Sequence, residues 1–365
     1  MKKHLAIALG LAVVSVPALA SKARLESLGQ SANGSQVIDD HRSIFLNAAQ
    51  LNNHKDFATI EMGTTTSQGA LDQDATATPK AEGGVIKSSG NMVYGLYFGE
   101  ESNTSNALRA AAGLVGVDSK EQNSTTLFVG GDAGVQWGAS LLHQAFEDEA
   151  TDSESSAMRS KLGIISGNIE AFANIGISNK ADDGTSEFEG KSSYDLGVTY
   201  NAGGDVQYLF RTSAIMAENK GGDEYEASTM QIGASKSYKL NDKAMMWAQA
   251  WYKTSEADQT FGGDSFKSTS LPVTISLEAS ATDWLTLRGF VNKNVFIGDE
   301  EINAAGDKRT VDGLAQGIGA SFVYGDLTID GSLILVGSDT TASDGAQGTL
   351  NLDEPMNRVS VTYNF

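Results

Sequence analysis

One rhythm runs through the sequence from residue 91 to the C-terminus. About ten residues of alternating apolar and polar side chains precede a very short connection, and a second such run precedes a long polar one. In LPVTISLEA (271–279), Val273 and Ile275 lie on one side of a strand and Thr274 and Ser276 on the other, because strand side chains alternate faces. Short connections are predicted at 166–168, 201–204, 240–243, 281–284 and 324–326. Long connections are predicted at 147–156, 179–191, 219–227, 256–269, 298–312 and 338–355.

The alternation of short and long connections decides the fold class. A soluble β-sandwich has no reason to alternate them, whereas a membrane barrel has short periplasmic turns and long outer loops. Counting back to residue 57 gives 16 strands, or 14 if the two weakest segments, 57–62 and 82–88, pack elsewhere. We therefore predict an all-β fold, a transmembrane antiparallel up-and-down β-barrel with long acidic outer loops.

Aromatic residues support this fold, since Tyr and Trp favour the boundary between lipid and water. They fall at the ends of the strands, as two girdles would. The periplasmic girdle is predicted to contain Tyr94, Tyr200, Tyr208, Tyr238, Trp284, Tyr324, Tyr363 and Phe365. The outer girdle is predicted to contain Phe98, Phe146, Tyr252 and Phe296.

Residues 1–20 have the pattern of a secretory signal peptide: the basic start MKK, the apolar stretch AIALGLAVVSV and the small residues ALA. We expect cleavage after Ala20 and export of the chain. Residues 21–55 form an N-terminal segment with a small apolar cluster of Ile44, Phe45 and Leu46. The barrel is expected to occupy residues 56–365.

Composition disfavours several kinds of function. The chain has no Cys, and its formal net charge of −20 argues against a nucleic-acid partner. Its four His residues lack metal-ligand spacing, and no Ser lies in a nucleophile elbow. We therefore predict no enzyme activity, no cofactor and no dedicated metal site.

The polar face of the strands carries the informative chemistry. If apolar residues face lipid, charged residues must face the interior, because a charge facing lipid at mid-depth costs about 2–4 kcal/mol. The interior of so wide a barrel is expected to hold water, although each charge could equally belong to a structural ion pair. The predicted pore-lining residues are Arg159, Lys161, Glu170, Asp195, Arg211, Lys253, Glu278, Arg288, Asp330 and Arg358. Six bases and four acids favour anions whereas an acidic rim gathers cations, so selectivity stays open.

One outer connection contains a helix-forming stretch, NALRAAAGLVG (106–116). An apolar stripe along one face of this helix should avoid water. We therefore predict that the loop folds over or into the lumen and narrows it, with contact to a neighbouring subunit as the alternative. The stripe consists of Ala107, Leu108, Ala111, Leu114 and Val115.

The chain ends NRVSVTYNF (357–365), alternating to its last residue. This ending resembles that of bacterial outer-membrane β-barrels, whose last strand carries alternating hydrophobic residues and a terminal Phe. The resemblance implies that Val359, Val361, Tyr363 and Phe365 are read by the barrel-assembly machinery. It also implies a place in the bacterial outer membrane, in contact with its lipid and lipopolysaccharide, and the overall plan resembles a porin.

The N-terminal segment is similar to the one that precedes the barrel in fatty-acid-transporter-like outer-membrane proteins. In that family the segment plugs the lumen, so a plug is one expectation for residues 21–55 and a periplasmic cover of the barrel mouth is another. Ala48 stands where Pro is usual in the family. The matching residues are Asp39, Asp40, Ile44, Phe45, Asn47 and Ala49.

These features lead us to expect a porin, a water-filled channel for the passive diffusion of small hydrophilic solutes. Two alternatives stay open: a plugged barrel that transports hydrophobic molecules, and a mainly structural or adhesive barrel. Porins are often homo-oligomers, but neither the oligomeric state nor the solute follows from the sequence.

Overall fold

A computed structural model describes residues 21–63, 80–100, 108, 112, 124–150, 152–259, 265–302, 307–310, 313–336 and 356–365. Three short helices come first: α1 is Lys22–Ser27, and two 3₁₀ helices follow at His41–Phe45 and Ala48–Asn52. Within the described ranges, no helix is long and apolar enough to cross a membrane.

The rest of the described chain is antiparallel sheet. Strands β1 to β9 are Phe57–Gly63, Lys80–Ser89, Met92–Phe98, Thr125–Asp132, Gln136–Asp148, Ser153–Ser166, Ile169–Asp182, Glu187–Gly203 and Val206–Asn219. Strands β10 to β17 are Glu224–Asn241, Ala244–Gln259, Ser265–Ser280, Leu285–Ile302, Asp307–Thr310, Ala315–Tyr324, Leu327–Val336 and Met356–Asn364.

Each strand pairs with its neighbours in sequence, and the last strand closes the sheet on the first. Phe57 of β1 lies opposite Asn364 of β17, and Gly63 lies opposite Arg358. Strands β14 and β15 both pair with β13, β14 near its outer end and β15 near its short-turn end. The two therefore occupy a single strand position in the barrel, with a break between them. The wall is a closed 16-stranded barrel, as the connection pattern predicts. Closure leaves no unpaired sheet edge to face lipid.

The outside of the wall is apolar in the alternating pattern that the sequence predicts. Ile275 of β12 and Leu287 of β13 are 52% and 48% exposed. Their sequence neighbours Ser276 and Thr286 face the interior and are buried. Tyr208, Trp284 and Tyr324 are exposed near the short turns, as a girdle requires. Phe146 is an exception: it shares a face with the buried Gln144 and therefore points inward, so its assignment to the outer girdle is wrong.

Several of the outer connections are shorter than the sequence pattern indicates. The connection predicted at 179–191 is confined to 183–186, because β7 and β8 continue as a paired ladder beyond the apolar belt. Lys180 lies opposite Glu189 in this extension, and Lys220 and Glu187 form an ion pair. Water reaches both faces of such a ladder, so it lacks the apolar alternation by which strands are recognised.

Candidate functional site

Residues 21–56 lie inside the barrel and contact its wall on every side. Gly29 packs against Phe290 of β13, and Ala48 packs against Gly138 of β5. On a third side, the Gln36 amide donates a hydrogen bond to Thr199 Oγ1 of β8 at 3.2 Å. We call residues 21–56 the plug. Its partners Gly138 and Thr199 lie toward the short-turn ends of β5 and β8, which places this part of the plug in the periplasmic half of the lumen.

The plug approaches the wall most closely at two inward glycines. A Cβ on Gly138 would lie 2.0 Å from the backbone oxygen of Ala48, and one on Gly163 would lie 1.9 Å from Asn47 Oδ1. Asn47 caps the second 3₁₀ helix, since its side chain accepts a hydrogen bond from the N–H of Ala49 at 3.1 Å. Only glycine leaves room for the plug backbone at these two wall positions.

A buried ionic cluster joins the plug to β1 and β2. Lys22 Nζ lies 2.7 Å from Glu82 Oε2, and Arg42 Nη1 lies 2.6 Å from Glu82 Oε1. Glu61, opposite Glu82 in the ladder, accepts a hydrogen bond from the N–H of Lys22 at 3.0 Å. Arg42 also donates to the Tyr97 hydroxyl at 3.0 Å. Two carboxylates and two cations thus satisfy one another away from bulk water.

A second ionic chain joins the plug to β12, β13 and β16. Arg24 Nε donates to Glu278 Oε2 at 2.9 Å, and Glu278 also accepts from Arg288 of β13. Arg288 Nη1 continues to Asp330 Oδ1 of β16 at 2.9 Å. Next to this chain, Arg358 Nε of β17 lies 2.7 Å from Glu26 Oε2 of α1. The segment is therefore tied to β12 and β17 as well as to β1 and β2.

Apolar side chains fill the spaces between these ion pairs. One buried cluster joins Ile44, Phe45 and Leu51 of the plug to Tyr97 and Phe128 of the wall. A second cluster is formed by Leu25, Leu28, Val37, Ile38 and Leu209, with Trp247 and Trp251 packed against it. The inner face is therefore apolar in patches wherever the plug covers it.

The wall along β6 to β9 is less tightly covered. Arg211 Nε and Nη2 donate to the two carboxylate oxygens of Asp195, each at 2.7 Å, and Lys161 pairs with Glu100. Between this wall and the plug lies a cavity of about 30 Å³, enough for roughly one water molecule. Its polar lining consists of Asn33, Arg159, Ser160, Lys161, Asn174, Asp195 and Arg211.

The outer half of the lumen contains part of the predicted constriction loop. Leu108 and Ala112 are helical and buried, and they pack with Phe188, Ile215 and neighbouring side chains of β7 to β10. This places Leu108 inside the barrel, where the apolar stripe was expected. Ala107, Ala111, Leu114 and Val115 lie outside the described residues.

The structure places all ten predicted pore-lining residues on the inner face but gives them different surroundings. One group is joined to the plug directly or through Glu278. Glu170, Glu278 and Arg358 contact Gln50, Arg24 and Glu26, while Arg288 pairs with Glu278 and with Asp330. The other group lies along β6 to β11: Arg159, Lys161, Asp195, Arg211 and Lys253.

Sequence reasoning missed the residues that hold the plug. Arg24 and Arg42 lie in the N-terminal segment, whose charges carry no period, and Glu61 and Glu82 lie in the two weakest strand predictions. One signal was available, because Glu61 and Glu82 occupy alternating positions of strand-like runs. A charge on the inner face of the first two strands needs a partner.

A histidine pair lies where the plug meets β1. The His41 ring stacks on Phe57 at 4.2 Å and meets the His54 ring edge-on at 5.3 Å. His54 Nε2 is 2.7 Å from Asp39 Oδ1. Burial, with the nearby His54 and Arg24, lowers the pKa of His41 from 6.5 to about 3. The docked plug therefore holds His41 in its neutral form.

The four residues of the predicted assembly signal form part of the outer surface. Val359, Val361, Tyr363 and Phe365 all face outward on β17, and the Tyr363 and Phe365 rings stack at 6.3 Å. The Phe365 N–H donates to the backbone oxygen of Asp56 at 2.9 Å, which joins the last residue to the start of β1.

No protein-family model matches the sequence, and no curated protein matches it. Solved structures with a similar chain path include the CymD monoaromatic hydrocarbon channel, at 8% identity and TM-score 0.41, covering 94% of this chain and 97% of that one. A loop-deletion mutant of OmpT, an outer membrane protein of Vibrio cholerae, has 9% identity and TM-score 0.41, covering 85% and 98%. The Ralstonia pickettii toluene transporter TbuX has 11% identity and TM-score 0.40, covering 93% and 97%.

The closed wall, its apolar outer belt and its aromatic girdle are features of this chain itself. The fold is a closed 16-stranded antiparallel β-barrel. The likeness to the solved structures is one of barrel architecture.

Proposed function

We propose that the protein is a bacterial outer-membrane channel that lets small hydrophilic solutes diffuse across, with the plug limiting passage. The observation that carries the proposal is the inner wall: charged side chains from β6 to β17 face the lumen of a barrel too wide to fill itself. A charged wall exchanges for part of a solute's hydration shell, which an apolar wall cannot do. Passage needs no covalent chemistry.

Location in the outer membrane is part of the proposal. Its support is the apolar outer face of the wall, which the outward Val359 and Val361 continue to the closing strand. The charged extensions beyond the belt would contact lipopolysaccharide headgroups. The C-terminal ending would be recognised by the barrel-assembly machinery after signal-peptide cleavage.

Planar-bilayer recording tests the channel. The full chain, freed of its signal peptide, is compared with a variant lacking residues 21–52. We expect discrete ion currents from both, and a several-fold larger conductance from the variant, because the ion pairs and apolar contacts of the plug occupy the lumen of the full chain. Silence from both proteins, with a folded barrel, would leave a structural or adhesive role.

A second candidate function is transport of hydrophobic molecules. The buried cluster of Leu108, Phe188, Ile215 and Ala217 in the outer half of the lumen favours it. Liposome assays separate the two candidates: polar sugars enter through a polar channel and cause swelling. A hydrophobic route instead accelerates the uptake of apolar solutes and leaves sugar permeability unchanged.

A further inference from the structure

The plug is not held equally on all sides. The ion pairs that join it to the wall fall on β1, β2, β12 and β17, where Lys22, Arg24, Glu26 and Arg42 find buried partners. Breaking one partner of a buried pair is costly because the other charge is left without compensation. This half of the contact surface is therefore the least able to open.

The opposite wall, β6 to β9, has ion pairs of its own. The plug meets it at Gly163 and through hydrogen bonds from Gln36 to Thr199 and from Gln50 to Glu170. The Asp195 carboxylate accepts hydrogen bonds from Arg211 Nε and Nη2. The Asn174 amide nitrogen lies 3.5 Å from Asp195 Oδ2. Lys161 pairs with Glu100, which follows β3. These pairs stay intact if the plug withdraws by a few ångströms, so separation here exposes no unpaired charge from them. The cavity of about 30 Å³ already lies at this seam.

A second cavity lies farther outward in the same sector. It has a volume of about 720 Å³ and lies at the outer ends of β5 to β9, between Phe146, Lys180, Phe188 and Asn219. The two cavities therefore lie on the same side of the barrel, one at its outer mouth and one where the plug meets the wall. A solute that follows them passes along β6 to β9.

The charge of this seam favours anions. Arg159, Lys161 and Arg211 line the small cavity with Asp195. Lys253 lies level with Arg211, since both residues pair in register with Gln231 of β10. Four cationic side chains therefore lie at this level, of which Lys161 is paired with Glu100 and Arg211 with Asp195.

The acidic outer mouth does not reverse this preference. Glu187 and Glu189 have side chains about half exposed, and both are paired with lysines. Water and salt screen such charges within about 8 Å at physiological ionic strength. A narrow passage with low-dielectric walls focuses the field of its own charges, so the narrowest level decides which ions pass.

From these observations, and resting on the proposed channel function, we infer that solutes pass between the plug and the β6–β9 wall, and that this seam selects small hydrophilic anions such as chloride and inorganic phosphate.

Reversal potentials in a KCl gradient test the selectivity with the full chain. We expect chloride to be more permeant than potassium, and Arg211→Gln to lower that permeability ratio by about threefold or more, because it removes a cation and exposes Asp195. Arg211→Lys should keep the preference. Lys239→Gln, a matched loss of charge on an exposed side chain that pairs with Asp242 at the periplasmic end, should also keep it.

Thiol labelling tests the route, since the chain has no Cys. Asn174→Cys places a thiol in the seam, and Ser332→Cys places one on the inner face of β16, on the anchored side. An anionic methanethiosulfonate should reduce the current of Asn174→Cys by at least about half, and that of Ser332→Cys little, because access follows the open passage.

The outcomes separate the two proposals. Full-chain current with unchanged selectivity in Arg211→Gln, or with block at Ser332→Cys and none at Asn174→Cys, overturns the anion seam and leaves the channel standing. Faster block of Asn174→Cys by a cationic reagent overturns the selectivity. Silence from the full chain and from the variant lacking residues 21–52 overturns the channel, and the seam with it.

Discussion

The guanidinium of Arg24, the fourth residue of the described chain, lies 2.9 Å from the Glu278 carboxylate, 254 positions away. Both side chains are buried, and Arg24 also lies 2.9 Å from Asp40 of the plug itself. The contact therefore sets the fold of the plug and its attachment to the wall together. Local sequence patterns do not predict such a pair. Substitution of Arg24 therefore tests directly how the plug is held.

Replacing Arg24 by Gln should loosen the plug. Loss of one partner of a buried ion pair costs about 3–5 kcal/mol, although Arg288 still neutralises Glu278 and reduces this. We expect longer and more frequent open events in single-channel recordings, with an unchanged barrel. Arg24→Lys should fall between, because it cannot form the fork. Open times that match those of the unsubstituted protein would contradict the anchoring role.

Replacing Gly138 by Ala should push the second 3₁₀ helix from the wall. The new Cβ would meet the backbone of Ala48 at 2.0 Å, and overpacking of this kind costs about 1–3 kcal/mol or more. The measurement is limited trypsin digestion, which should cut after Arg42 faster than in the unsubstituted protein. Gly331→Ala is the control, since its Cβ would lie 3.9 Å from the nearest atom, the backbone oxygen of Arg358, and should leave the digestion rate unchanged.

Acid should weaken docking of the plug through His41. The pKa of His41 is about 3 in the docked plug and 6.5 when water surrounds the ring. Between these two pH values the released plug binds a proton at His41 and the docked plug does not. The stabilisation is therefore complete above pH 6.5 and is lost as the pH falls from 6.5 towards 3. His54, Asp39 and Arg24 surround the ring, and Arg24 adds repulsion against a second cation.

At pH 5 this difference amounts to roughly 1–2 kcal/mol, after allowance for partial exposure of the ring. Channel open probability should therefore rise as the pH falls from 7 to 5. His41→Gln should flatten this rise, because a glutamine does not titrate. A rise of equal size in His41→Gln would assign the pH dependence to other groups.

A disulfide between plug and wall distinguishes a seam from complete release. Ser27 and Gly319 suit this test, because a Cβ on Gly319 would lie 2.5 Å from that of Ser27, and a shift of about 1 Å reaches disulfide geometry. We expect the oxidised Ser27→Cys/Gly319→Cys protein to conduct within about twofold of its reduced form, because β15 lies on the anchored side. Current that disappears on oxidation and returns with reductant would show that the whole plug must leave.

Removal of Phe365 should reduce the yield of folded barrel in the outer membrane. Its N–H donates a hydrogen bond to the backbone oxygen of Asp56, where the last strand meets the first. Its ring stacks on Tyr363 at the membrane boundary. Heat-modifiable migration on gels measures the folded fraction in isolated outer membranes. Tyr324→Ala is the comparison, since it removes a more exposed girdle aromatic away from the closing strand. Equal yields from the two variants would deny the terminal residue a special role.

The fold was largely predictable because its evidence is local. A period of two in LPVTISLEA places Ile275 outward and Ser276 inward, whatever the rest of the chain does. The prediction for Phe146 was wrong because this local evidence fails near the outer end of β5, where polar and apolar residues stop alternating. Phe146 was assigned to the girdle from its position next to a loop and not from the strand face on which it lies. The outer extensions escaped prediction because both of their faces are wet.

The sequence by itself determined the barrel, its closing strand and the face on which each charged residue lies, since these follow from alternation between neighbouring residues. Only the tertiary structure decided what those inward charges do. Lys22 pairs with Glu82, which is 60 positions away in the sequence. Arg358 of the last strand pairs with Glu26 of α1 inside the barrel. Closure of the barrel brings such distant residues together, so the split between an anchored wall and a seam along β6 to β9 exists only in three dimensions.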